Sequence, residues 1–158
     1  MIIGVDNGLN GGLVAISQHT GGVISKRVMP TMHRAGKREV DTVEIYKWVV
    51  GLHTPFCLAI EEPLKHARSS QAVRSMAISF GKILGMAECK SWDVMCVSVH
   101  KWQKLMLGRL PKGKTKEAAL ALANELAPEE CWLKSKRASK THDGMIDAFL
   151  IARYIRGK

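Results

Sequence analysis

The chain has 158 residues, with 24 Lys and Arg against 14 Asp and Glu, for a net charge of +10 and a pI near 9.7. That length suits one domain, 1–158, with its own core; 46% hydrophobic and 24% charged residues exclude a disordered or fibrous chain. No apolar run approaches the roughly 18 residues of a membrane span, and the basic excess points to a polyanionic partner, nucleic acid first.

Met1 to Asp6 is a short apolar run ending in an acid, followed by Asn7-Gly8-Leu9-Asn10-Gly11-Gly12, a strong turn signal. Leu13 to Ser17 and Val23 to Met29 read as two further strands joined through Thr20-Gly21-Gly22, which predicts an antiparallel meander of three strands. The basic segment from His33 to Arg38 lacks apolar periodicity and is expected to be a mobile loop. Glu39 to Leu52 reads as an amphipathic helix burying Val40, Val43, Trp48 and Val49. Cys57 to Glu62 is a compact apolar strand stopped by Pro63. Ser69 to Lys90 is a long helix with Val73, Met76, Phe80, Ile83, Leu84 and Ala87 on one stripe, and Asp93 to Val99 is another buried strand. Gly108 to Lys114 is a second basic loop, Thr115 to Leu126 a helix, and Thr141 a cap for a final helix to about Arg156. The order β-β-β-α-β-α-β-α-α predicts one α/β domain built on a mixed sheet with helices on its faces.

Cys57, Cys89, Cys96 and Cys131 are widely spaced and form no C-x-x-C pair, so they read as buried, reduced thiols rather than zinc ligands. No basic stretch precedes an apolar one at the N-terminus, so a cytoplasmic protein of a bacterial or virus-infected cell is expected. The positive charge is uneven: Val99 to Lys140 holds ten Lys and Arg against four Glu.

The acids are more informative than the bases. Asp6 and Glu61 end two strands apolar enough to be central, where a carboxylate is expensive to desolvate unless a cation or donors compensate. Asp143 and Asp147 lie four apart on the last helix, on one face, with Asp147 set among apolar neighbours. Taken singly, a turn aspartate, an edge glutamate or an aspartate pair near a helix start serves the fold alone. Converging, they form an oxygen-donor set for hard divalent cations, suited to in-line phosphodiester hydrolysis.

These stretches resemble the RuvC family of Holliday junction resolvases over most of the chain. Ile3-Gly4-Val5-Asp6-Asn7-Gly8 is similar to the family's first strand, with Asn7 where Pro is common. Ala59-Ile60-Glu61 is similar to the second acidic motif, and Asp143-Gly144-Met145-Ile146-Asp147-Ala148 to the C-terminal helix. The resemblance implies an RNase H-like mixed five-stranded sheet, three antiparallel N-terminal strands and then parallel β-α units, flanked by helices. It implies a homodimeric endonuclease that resolves four-way DNA junctions. Asp6, Glu61, Asp143 and Asp147 would bind Mg²⁺, or Mn²⁺ in its place, with no small-molecule cofactor. Period-2 alternation allows only one of Glu61 and Glu62 to face the site without choosing between them.

Two lysines carry over as catalytic, Lys104 after the fifth strand and Lys116 at the start of the next helix, where a compact charge steadies phosphate oxygens. His142 is a candidate for proton transfer, against a plain role at the helix start. Leu64 stands where relatives present a stacking aromatic, and Lys65 and Arg68 beside it are expected to hold phosphates. Lys101, Arg109, Lys112 and Lys114 join Lys104 and Lys116 as expected DNA contacts. Gly81 and Gly85 lie four apart on the long helix, giving a flat face expected either to pair with a second subunit or to pack on the sheet. Competing readings are an RNase H-like nuclease acting on RNA, hybrid or flap substrates and a catalytically weak binder of branched DNA. An actin-type ATP-binding protein needs two such domains and more residues than these.

Overall fold

The computed structural model describes residues 1–63, 70–135 and 137–158. Its main sheet holds β1 (Ile2–Asp6), β2 (Gly12–Ile16), β3 (Val23–Val28), β6 (Cys57–Glu61) and β7 (Asp93–Val97), in the spatial order β3-β2-β1-β6-β7. The pairs β1–β2 and β2–β3 are antiparallel, whereas β1–β6 and β6–β7 are parallel, giving the expected mixed sheet. Helices α1 (Thr42–Val50), α2 (Ser70–Cys89), α3 (Val99–Leu107), α4 (Thr115–Leu126) and α5 (Asp143–Arg156) cover it. No helix among the described residues is long and apolar enough to cross a membrane.

Strand alternation divides the interior in two. Ile2, Val14, Ile16, Ala59 and Val97 pack with α3, α4 and α5 on one face, against Trp102, Trp132 and Phe149. Ile3, Val5, Leu13, Leu58 and Ile60 face the other way, onto Ile45 and Val49 of α1 and Ile83 and Ala87 of α2. Central strands buried on both faces explain why β1 and β6 read as nearly continuous apolar runs.

Several expectations need correction. The segment 33–38 is not a loop: β4 (Thr31–Arg34) and β5 (Lys37–Val40) pair antiparallel as a separate two-stranded sheet. Val40 therefore belongs to a strand, and α1 starts after Asp41, whose carboxylate accepts from Val43 N and Glu44 N as an N-cap. In the shortened helix Val43 points to solvent and Ile45 and Val49 are the buried pair. Helix α3 was not expected at all. The last helix is capped by His142 rather than Thr141, its Nδ1 accepting from Met145 N at 3.3 Å. The cysteines are free, but Cys89, Cys96 and Cys131 are exposed and Cys57 half-buried, so they are not core thiols. A Cβ on Gly81 or Gly85 would meet nothing within 4 Å among the described residues, so neither glycine packs on the sheet.

Candidate active site

Asp6 and Glu61 end neighbouring parallel strands. The register Gly4↔Ala59 and Val5↔Ile60 runs on to set them side by side at the carboxyl edge of the sheet, where ligands of open α/β sheets bind. Alternation also resolves the choice within Glu61-Glu62: Ala59 faces the α5 core, so Glu61 does too, and it is buried while Glu62 is exposed.

Glycines bring α5 down onto these strands. A Cβ at Gly4 would lie 1.9 Å from the Ala148 carbonyl oxygen, and one at Gly12 2.9 Å from the Met145 backbone. Gly144, in the first turn of α5, is bridged to Gly11, and a Cβ on it would sit 2.4 Å from Gly11 Cα. Only backbones without side chains approach this closely. The consequence is functional, because Asp147 rides on the turn between Gly144 and Ala148 and is carried to the Asp6 end of β1. No single one of these glycines is unusual in the sequence; their joint role is visible only once the helix is docked.

The electrostatics record the convergence. Burial, then the charge of Asp6, pushes Glu61 up to about 8. Burial, then Asp6 and Asp143, pushes Asp147 up to about 7. Burial also raises Asp6, against the opposing effect of the Gly8 N–H, which donates to Asp6 Oδ1 at 3.0 Å. The charge of Asp6 thus makes both Glu61 and Asp147 harder to ionise than burial alone does. Asp143, at the rim, is engaged by Lys116, whose ammonium donates to its Oδ2 and also lowers the cost of ionising Asp147.

Two residues not singled out from sequence belong to this centre. Trp102 is fully buried in α3 and its indole N–H donates to Glu61 Oε1 at 2.7 Å. The signal was an indole flanked by His100, Lys101, Gln103 and Lys104, where a large apolar ring in a polar run has to go inward. Asn7 is likewise fully buried; its amide donates to the Glu61 carbonyl, and its Oδ1 has no hydrogen-bond partner.

The other expected site residues are distributed. Lys104 is exposed and lines an open cleft of about 230 Å³ with His100, Gln103, Leu107, Leu110 and Thr115, rather than touching the carboxylates. Lys101, Arg109 and Lys112 are exposed along α3 and the α3–α4 turn, and Lys114 pairs with Glu117 at 2.9 Å. His142 spends its Nδ1 on the helix cap, and burial lowers its pKa. Leu64, Lys65 and Arg68 lie outside the described residues.

Among the described residues, no three His, Cys, Asp or Glu side chains stand close enough to hold one metal ion between them. The fit lies in donor chemistry. The centre offers oxygen donors, burial and then the charge of Asp6 hold Glu61 and Asp147 back from ionising, and Asn7 adds a buried carbonyl oxygen with no partner among the described residues. A hard divalent cation answers all three conditions.

No protein-family model and no curated protein matches the chain by sequence. Among solved structures it is similar to Thermus thermophilus RuvC in complex with Holliday junction substrate. That match has a TM-score of 0.58 and 15% identity and covers 97% of this chain and 90% of the other. A second Thermus thermophilus RuvC structure matches with a TM-score of 0.55 and 16% identity, covering 97% of this chain and 93% of that one. With the strand order, the acid-bearing strand ends and the docked C-terminal helix already in view, these likenesses identify the architecture: the chain has the RuvC fold, an RNase H-like mixed sheet flanked by helices.

Proposed function

We propose that the chain is a metal-dependent endonuclease that resolves four-way DNA junctions and related branched DNA. One observation carries the reading: buried Glu61 and half-buried Asp6 and Asp147, far apart in sequence, come within electrostatic reach of one another, so that burial and then the charge of Asp6 raise the pKa of both Glu61 and Asp147. A fold without a cation to bind gains nothing from that expense. In a strongly basic protein the acids gathered there call for Mg²⁺ or Mn²⁺ beside a phosphate backbone.

Asp6, Glu61 and Asp147 would hold the ion or ions, with Asp143 completing the set. The cation supplies Lewis-acid activation of the phosphodiester and of the attacking water. Trp102 fixes one oxygen of Glu61 and leaves the other free, so this carboxylate presents a single orientation. Lys116, which holds Asp143 in the free protein, is placed to exchange that carboxylate for a phosphate oxygen. Lys104, on the cleft wall beyond it, adds a second cation along the backbone path. Water adds to phosphorus and the bond to the 3′ oxygen breaks, leaving a 5′-phosphate and a 3′-hydroxyl. With Nδ1 committed to its cap, His142 has only Nε2 for proton transfer. The open glycine face of α2 is the proposed contact with a second subunit, since the alternative of packing on the sheet does not hold.

Asp6→Asn is expected to abolish junction cutting in Mg²⁺ while leaving junction binding intact, measured by cleavage and by gel shift on the same substrate. Full cutting by that variant refutes the reading. Equal cutting of linear duplex or RNA–DNA hybrid moves the substrate away from junctions within the same chemistry.

A further inference from the structure

We infer that the β4–β5 hairpin is a phosphate-binding arm that grips the nucleic-acid backbone beside the Asp6 turn; this rests on the nuclease reading above. The tip, His33-Arg34-Ala35-Gly36-Lys37-Arg38, carries three full cations and no acid, and every one of its residues is exposed. It lies outside the main sheet, so its side chains cover no part of the interior.

The tip keeps two costs that the fold does not require. The register sets Arg34 directly opposite Lys37 and His33 opposite Arg38. Like charges facing across an antiparallel pair destabilise it unless an anion lies between them. The turn is made by Ala35 at φ 49° and Gly36 at φ 72°, the paired left-handed conformation of a tight hairpin. Alanine is strained in that conformation, where glycine is not.

The arm is also held in place. The Arg38 guanidinium donates to Asn10 Oδ1 at 2.9 Å, to the Leu9 carbonyl at 2.6 Å and to Thr31 Oγ1 at 3.1 Å. Leu9 and Asn10 belong to the turn that follows Asp6, so one side chain fixes the hairpin against the loop that leaves the carboxylate centre. At the base, Lys82 donates to Glu39 Oε2 at 2.8 Å and to the Val40 carbonyl at 2.9 Å.

That leaves the outer cations for a ligand. Among the described residues, Lys37 has no ion pair, and Arg34 pairs at 4.0 Å with one oxygen of Glu39, whose other oxygen accepts from Lys82 at 2.8 Å. An anchored cluster in which Lys37 has no ion pair among the described residues and Arg34 only a 4.0 Å one fits the repeating charge of a nucleic-acid strand beside the proposed nuclease centre, read by backbone rather than by base.

The test measures binding of metal-free protein to a fluorescent four-way DNA junction and to linear duplex over a salt series. Removing two phosphate contacts with Arg34→Gln/Lys37→Gln reduces the slope of log affinity against log salt by about 1.8 on both DNAs. A matched control, Lys47→Gln/Lys90→Gln on the far side of α1 and at the end of α2, leaves the slope unchanged. Ala35→Asn, which suits the left-handed turn, leaves the slope as it is and raises the melting temperature. If wild type binds and cuts junctions but the hairpin variant keeps the wild-type slope, the arm is refuted and the nuclease reading stands. If wild type binds neither DNA, both fall.

Discussion

Helices α5 and α2 flank the same sheet from opposite faces and are held very differently. Nine residues of α5 are buried, and its backbone sits on β1 and β2 through Gly4, Gly11, Gly12 and Gly144. The longer α2 buries only Ser79, Ile83 and Ala87, and Ile78 and Gly81 stand open on its outer side. On the proposed function, the carboxylates that need holding in place ride on the firmly seated helix, and a second chain would dock on the helix with a spare face. The difference teaches that a glycine's meaning depends on what lies opposite it, since α5 uses Gly144 to approach and α2 leaves Gly81 facing nothing.

The largest effect should come from filling the α5 cradle. In Gly4→Ala the new methyl would lie 1.9 Å from the Ala148 carbonyl oxygen, with backbone on both sides and no flexible side chain to yield. We expect a loss of about 4 kcal/mol or more, enough to leave little folded protein, as read by urea unfolding or soluble yield. A normally stable Gly4→Ala protein would mean that α5 is not seated as described.

The carboxylate centre that α5 completes should tax stability in a pH-dependent way. The folded chain holds Glu61 up at about 8, above its ordinary 4.5, so the folded state keeps a proton that the unfolded chain releases earlier. Metal-free protein is therefore most stable at or below about pH 4–5, apart from other titrations, and loses roughly 5 kcal/mol from this group as pH rises to about 8–9. Glu61→Gln should flatten that decline. Added Mg²⁺ should raise the wild-type melting temperature more at pH 9 than at pH 5, where protons already neutralise the site. Parallel pH profiles for wild type and Glu61→Gln would deny that Glu61 is buried beside other charges.

Much of this architecture was legible in the sequence, and the failures have physical reasons. Strands β1 and β6 stood out because central strands are apolar on both faces, which makes Asp6 and Glu61 conspicuous at their ends. Helix α4 announced its limits, Thr115–Leu126, by periodicity and by the Pro128 beyond it. The β4–β5 hairpin did not, because a basic two-stranded ribbon outside the core has no apolar alternation, and Ala35-Gly36 replaces the usual Asn-Gly turn. Helix α3 hid for a related reason, burying only Trp102 among polar neighbours. The Trp102–Glu61 bond spans 41 residues and has no local pattern at all.

That bond provides a smaller test on the α5 side of the sheet. Trp102→Phe keeps an aromatic ring but removes the indole N–H together with part of the buried ring system. Freed from it, Glu61 loses its fixed orientation, and Mn²⁺ binding measured by calorimetry on the folded variant should weaken about tenfold, alongside the lower melting temperature that the smaller ring brings. Unchanged Mn²⁺ affinity would reduce Trp102 to a packing residue.

The smallest effect belongs to α2 and has the opposite sign. Ile78, Gly81 and Gly85 follow one another at spacings of three and four, so they share a face, and a Cβ on either glycine would meet nothing within 4 Å. In an isolated chain Gly81→Ala therefore only removes unfolded-state freedom and should add roughly 0.5–1 kcal/mol, about 2–3 °C in melting temperature. If a second chain approaches closely through this face, the same methyl stands in its way, and light scattering at micromolar protein should show less dimer than wild type. Higher stability with weaker association identifies the face as an interface; higher stability with unchanged association leaves α2 a plain solvent-facing helix and removes the proposed subunit contact.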